Sequence, residues 1–246
     1  MKAFLETLGE EYLDDFVYCS VLPLKDLGYT IVKFDGADLE NTLLNKRITS
    51  SDIIIGSVEA TSAFFQELKI QEPKYLGYPE ELEQYLGRTI SKITLEECKQ
   101  WGYPFFIKPA DKIKLFSGSL IEKESTINFL KEYCNVPGET LVYLSDLIKI
   151  KSEYRVFVYK GEIKGIQYYL GDFKTFPSID KIEEMVRTYT SSPVAYTLDV
   201  GVTDKNETVL IEVNDFWAIG SYGFDAKTYV KMIISRFQQI ILQHVC

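Results

Sequence analysis

The sequence predicts a mixed fold: an α/β unit over residues 1–75, followed after residue 100 by an α+β region built on antiparallel sheets. Three observations predict it. Before residue 75, brief apolar runs alternate with a segment of helical spacing. After residue 100, strand-like segments follow one another, with helices interspersed. Hydrophobic residues make up 46% of the 246, which is enough to bury the core of one large domain or two small ones.

Taken in order, Thr30–Phe34 and Asp52–Gly56 are short apolar runs suited to strands. Val58–Ile70 has helical spacing through Ala60, Phe64, Phe65 and Leu68; Phe64 and Phe65 suit either a core or a seam between two copies. Residues 71–103 form a bridge, punctuated by Pro73 and Gly77-Tyr-Pro79, with short helices expected over Glu80–Tyr85 and Leu95–Trp101. Strands are then expected at Phe105–Lys108, Gly118–Glu122, Glu139–Leu144, Tyr154–Tyr159 and Glu162–Leu170, with Lys160-Gly161 turning between the last two. Helices are expected at Ser125–Cys134 and Ser178–Thr190. A last amphipathic helix starts near Asp225 and carries Tyr229, Met232, Ile233, Phe237, Ile240 and Ile241 on one face.

Composition narrows the function. A net charge of −9 argues against a general nucleic-acid or anionic-membrane surface, although 27 basic residues can still line a local pocket. No stretch approaches the roughly 20 apolar residues of a membrane span, and the acids near Met1 do not fit a signal peptide. Cys19, Cys98, Cys134 and Cys246 lack a C-x-x-C spacing and read as free thiols of a reducing cytoplasm, each in a buried structural role. The single histidine, His244, rules out a multi-histidine zinc site and makes a histidine-based triad a poor fit. Chemistry is left to Lys, Arg, Asp, Glu and backbone amides.

The most informative segment is a hairpin, Ala195–Thr203 running into Glu207–Asp215. With the turn centred on Lys205 and Asn206, Leu198 opposes Val213, Val200 opposes Ile211, and Val202 opposes Val209, which makes one apolar face. The other face sets Asp199 opposite Glu212, with Asn214 two residues on. Like charges opposed across a ladder are unfavourable, so a cation accounts for this face better than bare solvation does. Hard oxygens on a rigid ribbon suit Mg²⁺, above all Mg²⁺ that also bridges nucleotide phosphates.

Two basic positions accompany it. Lys108 ends an apolar strand, Pro104-Phe-Phe-Ile-Lys-Pro109, where its ammonium either snorkels to water or meets an anion. The adjoining Asp111-Lys-Ile-Lys-Leu-Phe-Ser-Gly-Ser119 holds Lys112, Lys114 and Gly/Ser amides able to fold over a polyphosphate, without the spacing of a Walker A loop. Arg155 shares a strand face with Glu153 and Phe157, and there it needs a bidentate partner: a carboxylate in a structural salt bridge, or a phosphate.

The order of these elements runs from a lysine strand and a Gly/Ser lysine loop to a hinge strand, a Glu-x-Arg strand, an Asp strand and a Glu-x-Asn strand. It resembles the ATP-grasp superfamily, and more narrowly a compact bacterial and phage clade of it. That clade shows F-x-K-P, K-x-F-x-G, E-[WY]-R-x-F and D-V-G…E-x-N-D-x-W…G-x-Y-G. Here these are Phe106–Pro109, Lys114–Gly118, Glu153–Phe157, Asp199–Gly201 and Glu212–Gly223.

The resemblance implies an α/β domain over 1–75, linker helices over 76–103 and an ATP-grasp fold over 104–246. Its small and large subdomains, about 104–144 and 145–246, would clamp ATP between antiparallel sheets. Lys108 would contact the α- and β-phosphates or the adenine edge, and Lys114 the β- and γ-phosphates. Tyr143 and Leu144 would offer hinge backbone groups to adenine, and Asp146 would hold the ribose. Arg155 would steady the γ-phosphate or a phosphorylated intermediate. Asp199, Glu212 and Asn214 would hold one or two Mg²⁺ ions. Where many members have a Pro-Gly turn for the acceptor, this chain has Asp215-Phe-Trp-Ala-Ile-Gly-Ser-Tyr-Gly223. Trp217, Tyr222 and Gly223 therefore line an acceptor pocket, or the two aromatics belong to the core. The implied activity is ATP- and Mg²⁺-dependent ligation of a small-molecule or peptide carboxylate to an amine through an acylphosphate. The alternatives are an ATP-dependent phosphotransferase and a nucleotide-binding interaction protein without turnover.

Overall fold

The computed structural model describes residues 1–39, 41–42, 48–111 and 115–245. Its N-terminal sheet is centred on β1 (Lys2–Leu8), which pairs antiparallel with β2 (Glu11–Tyr12) and parallel with β3 (Thr30–Asp35) and β4 (Ile53–Ile55). Helices α1 (Asp15–Cys19), α2 (Val21–Asp26) and α3 (Val58–Glu67) accompany it. Ala3, Phe4 and Leu5 are fully buried, as befits a parallel strand covered on both faces. Strand β1 was not among the expected elements, and it carries an acid, Glu6, within its apolar run. In the fold Glu6 is only 7% exposed, and its carboxylate accepts the Ser57 N–H at 2.5 Å. Ser57 in turn caps α3 through a 3.1 Å bond from the Ala60 N–H to its Oγ.

The second sheet runs β5 (Ile90–Thr94), β8 (Leu141–Ser145), β6 (Phe105–Pro109), β7 (Ser119–Ile121), all antiparallel, with α4 (Glu124–Glu132) beside it. Strand β5 falls in the segment expected to be linker helices. Its isoleucines, Ile90 and Ile93, sit on opposite faces, so it has no period of its own, and pairing with β8 decides its state.

The third sheet runs β10 (Glu162–Gly171), β9 (Ile150–Tyr159), β11 (Ala195–Thr203), β12 (Thr208–Asp215), again antiparallel, with α5 (Ile179–Thr188) and the long α6 (Ala226–Val245). Asp199 faces Glu212 and Leu198 faces Val213, as expected. Nearer the turn the register differs: Val200 faces Leu210, Gly201 faces Val209, and Val202 faces Thr208. The Thr203 N–H bonds the Glu207 carbonyl at 2.9 Å, closing a three-residue loop with Asn206 at φ 62° instead of a two-residue turn. A bulge at Ile211 absorbs the odd residue and restores the Asp199–Glu212 pairing.

Burial divides the core. One cluster joins the N-terminal sheet and α3 to α6 and to Phe216 and Trp217 just after β12, with Phe65 5.3 Å from Phe237 between ring centres. Phe64 and Phe65 are thus core residues. A second cluster covers one face of the third sheet through Tyr154, Val156, Leu198 and Val213, and a third fills the second sheet. Cys98 is buried, but Cys19 and Cys134 are exposed free thiols, against the buried roles expected of them.

Candidate active site

The charged face of the third sheet and the end of β6 meet in one cleft of about 390 Å³, inside the roughly 300–1,000 Å³ usual for ligand pockets. Its lining includes Tyr75, Lys108, Ser117, Gly118, Arg155, Glu212 and Asn214. Strand alternation puts Arg155 on β9, Asp199 on β11, and Glu212 and Asn214 on β12 together on this face, with Asp199 paired across to both Arg155 and Glu212. A wider depression of about 640 Å³ beside Glu10, Glu11, Asp14 and Asp15 has the wrong sign for a polyphosphate.

Lys108 Nζ bonds Glu212 Oε2 at 2.6 Å and the Tyr75 hydroxyl at 2.8 Å, and sits 4.3 Å above the Tyr78 ring. Tyr75 also donates to Glu212 Oε2 at 2.9 Å. Arg155 grips Asp199 with both Nε (2.8 Å) and Nη2 (2.7 Å), and its Nη1 donates to the Gly220 carbonyl at 3.2 Å. The Tyr222 ring lies 4.7 Å from the guanidinium and stacks on Tyr169. At Gly118 the absence of a Cβ leaves room for the Phe106 ring, whose Cζ would lie 2.4 Å from one.

These contacts set the charges. Burial works against the charge of Lys108, yet Glu212, Tyr78 and Tyr75 more than compensate and raise its pKa. Burial would raise Glu212, but Lys108 outweighs it and holds the carboxyl below its ordinary value. Asp199 is pushed up by burial and by the neighbouring Glu212 and Glu153, against the pull of Arg155. Two carboxylates crowded this closely are a place for added positive charge.

The donor set suits Mg²⁺. Asn214 Nδ2 stands 3.2 Å from both Asp199 Oδ2 and Glu212 Oε1, bridging the two carboxylates. Turning that amide over presents Oδ1 to the same point, which then faces three oxygens of three residues. Directly across the ladder from Asn214, Thr197 carries a buried hydroxyl with no partner among the described residues. No group of three His, Cys, Asp or Glu side chains among the described residues could hold an ion. A metal here would thus rest on two carboxylates and an amide and take further oxygens from phosphates, the usual manner of Mg²⁺.

The remaining expected residues divide. Lys114 lies outside the described residues, while Phe116, Ser117 and Gly118 of the same loop line the cleft. Tyr143 and Leu144 sit in β8, an interior strand paired on both sides, so their backbone groups belong to the ladder and are not free for adenine. The Tyr143 ring packs edge-on against Tyr78. Asp146 is exposed just past β8, with its N–H on the Thr89 carbonyl at 3.3 Å. Trp217 is a core aromatic, 3% exposed and edge-on to Phe65, though it also walls a recess of about 50 Å³ that shares Tyr75 and Asn214 with the cleft. Tyr222 is 49% exposed, and Gly223 follows it at φ 78°. Tyr75 and Tyr78 were missed. They lie in a coil where aromatic residues leave no periodic signal, and only the Gly-Tyr-Pro punctuation marked the place.

A family model described as ATP-grasp domain, R2K clade family 2, matches residues 85–232, more than half of the chain. The chain belongs to this family. No curated protein matches the sequence of this ATP-grasp chain. Solved structures match its fold. D-alanine–D-alanine ligase from Bacillus anthracis complexed with ATP aligns at TM-score 0.59 and 12% identity, over 99% of this chain and 98% of that one. D-cycloserine synthetase DcsG aligns at TM-score 0.62 and 11% identity, over 96% and 100%. The macrocyclase MdnC from Microcystis aeruginosa, bound with precursor peptide MdnA, aligns at TM-score 0.51 and 12% identity, over 95% and 99%.

Proposed function

We propose that this ATP-grasp chain is an ATP- and Mg²⁺-dependent ligase that joins a carboxylate to an amine through an acylphosphate. One observation carries the reading: Lys108, Arg155, Glu212 and Asn214 line a single cleft, with Asp199 bound behind them. Phosphoryl transfer needs positioning and charge neutralisation more than covalent help, and these residue types supply both. Lys108 binds and orients phosphate oxygens. Arg155, anchored by Asp199 and the Gly220 carbonyl, holds its charge toward the transferring group. Glu212, Asn214 and Asp199 would hold Mg²⁺, which supplies Lewis-acid neutralisation of the phosphates when bound. Phe116, Ser117 and Gly118 wall the cleft and would help keep water from the acylphosphate.

The named activities of the structural neighbours, which make or modify small molecules and peptides, support substrates of that size, a carboxylate and an amine. Exposed free thiols at Cys19 and Cys134 support a reducing, cytoplasmic setting. The test is ADP formation from Mg·ATP with a panel of amino acids and short peptides, with products analysed for amide or phosphate ester. Glu212→Ala is expected to abolish turnover while circular dichroism stays unchanged. Turnover equal to the parent chain in that variant overturns the metal site, and a phosphate-ester product replaces the ligase with a phosphotransferase.

A further inference from the structure

The residue that ties the two halves of the cleft together comes from outside the ATP-grasp match. Tyr75 precedes the matched span of residues 85–232, yet its hydroxyl touches Lys108 on the second sheet and Glu212 on the third. Its place is built, not incidental. The Gly77 carbonyl accepts the Val213 N–H at 2.8 Å, which pins this segment to β12 one residue beyond Glu212. Gly77 sits at φ +50°, and a Cβ there would fall 2.7 Å from the Tyr75 ring, so only glycine lets the tyrosine fold back over the cleft.

Resting on the function proposed above, we infer that Tyr75 is the positioning residue that orients Glu212 for its metal. The geometry of the carboxylate carries this. Glu212 Oε2 is held by Tyr75 and Lys108, and Oε1 is thereby turned toward Asn214 and Asp199, where the metal oxygens meet. When Lys108 turns to a phosphate, Oε2 loses its ammonium partner. The Tyr75 hydroxyl, a donor that carries no charge to be drawn to the nucleotide, remains and keeps Oε1 aimed at the cation. Lys108 gives up its 2.8 Å bond to that hydroxyl when it turns, but keeps its contacts to the Tyr75 and Tyr78 rings, which do not need the hydroxyl. The segment before the ATP-grasp match therefore completes the metal site by supplying an outer-sphere donor.

Tyr75→Phe removes the hydroxyl and keeps the ring. Mn²⁺ affinity, titrated by electron paramagnetic resonance with a non-hydrolysable ATP analogue present, is expected to fall about 10- to 100-fold. Affinity for the same analogue in EDTA is expected to stay within about twofold, because Lys108 is intact. In a Glu212→Gln background the further change Tyr75→Phe is expected to add nothing, since the tyrosine acts through Glu212. Unchanged Mn²⁺ affinity in Tyr75→Phe overturns the inference. So does an equal fall in EDTA, which would mean that the tyrosine serves Lys108. A thermal melt guards against misfolding: should Tyr75→Phe unfold, the tyrosine is a structural residue and the inference fails. A parent chain that binds the analogue but no Mn²⁺ would defeat the proposed function itself, a result separate from any of these.

Discussion

Two buried arginine–aspartate pairs lie one strand apart and are nearly the same object. Arg155 holds Asp199 at 2.7–2.8 Å with side chains 8% and 3% exposed; Arg236 holds Asp215 at 2.5–2.6 Å with both side chains 6% exposed. Each is bidentate, and in each burial pushes the aspartate upward against the pull of the guanidinium. They differ in their surroundings. Arg155 lines the cleft beside Glu212 and Asn214, with Asp199 touching Asn214. Arg236 projects from α6 to the end of β12, and its third contact is Gln239, which also accepts the Val194 N–H. Burial and pairing alone therefore do not distinguish a working pair from a fastening one. What distinguishes them is a second carboxylate next door, Glu212, paired with a lysine of the other sheet, and an open cleft in front.

The largest expected effect tests whether the pairs are equal as structure. Arg155→Leu and Arg236→Leu each strand a buried carboxylate, and each is expected to lower unfolding free energy by about 3–5 kcal/mol. Chemical denaturation measures this. Arg236→Leu, where still folded, is expected to bind Mn²⁺ and ATP analogue like the parent, whereas Arg155→Leu is not. Equal binding in both variants would erase the distinction.

A smaller effect comes from replacing whole pairs. Hydrophobic residues of similar volume often substitute for a buried ion pair with no loss, or with a gain of about 1–4 kcal/mol. Arg236→Met with Asp215→Leu is expected to melt at or above the parent temperature and to retain Mn²⁺ binding. Arg155→Met with Asp199→Leu is expected to keep its fold but lose Mn²⁺ affinity by about 100-fold, because an oxygen ligand is gone. Retained affinity there would show that Asp199 serves only to anchor Arg155.

How much of this could be read from the sequence follows from how local each interaction is. The Asp199–Glu212 pairing was legible because a short hairpin and a two-residue alternation decide it, and the bulge at Ile211 restored it despite the wrong loop length. The Arg155–Asp199 pair spans 44 residues, so the sequence showed an arginine in need of a partner but not which one. Strand β8 was legible as a strand. Its interior position was not, because that depends on β5, which has no periodic pattern, and so the adenine role of Tyr143 and Leu144 fell. Tyr75 was beyond reach for the same reason: a coil tyrosine acquires meaning only when Gly77 pairs with Val213. Trp217 was left open between core and pocket, and its place in the fold touches both.

The smallest effect separates the open pair, Lys108–Glu212, from the two closed ones. Lys108 and Glu212 are 13% and 25% exposed at the side chain, so water and salt reach this pair more readily than either arginine pair. Lys108 holds the Glu212 carboxyl below its ordinary value in the folded chain. The folded state therefore binds fewer protons at this site than the unfolded state does in mildly acid solution, and stability must rise with pH there. Put the other way, the contribution of Glu212 is complete above the unfolded carboxylate value of about 4.3 and is lost as pH falls through the lower folded one. Glu212→Gln is expected to flatten that acid limb in a series of thermal melts, and added salt to flatten it in the parent chain. Arg236→Met with Asp215→Leu is expected to leave the Glu212 part of the slope in place. A limb unchanged by Glu212→Gln would mean that Lys108 finds its charge balance elsewhere in the cleft, and the ion pair seen here would then be one resting arrangement among several.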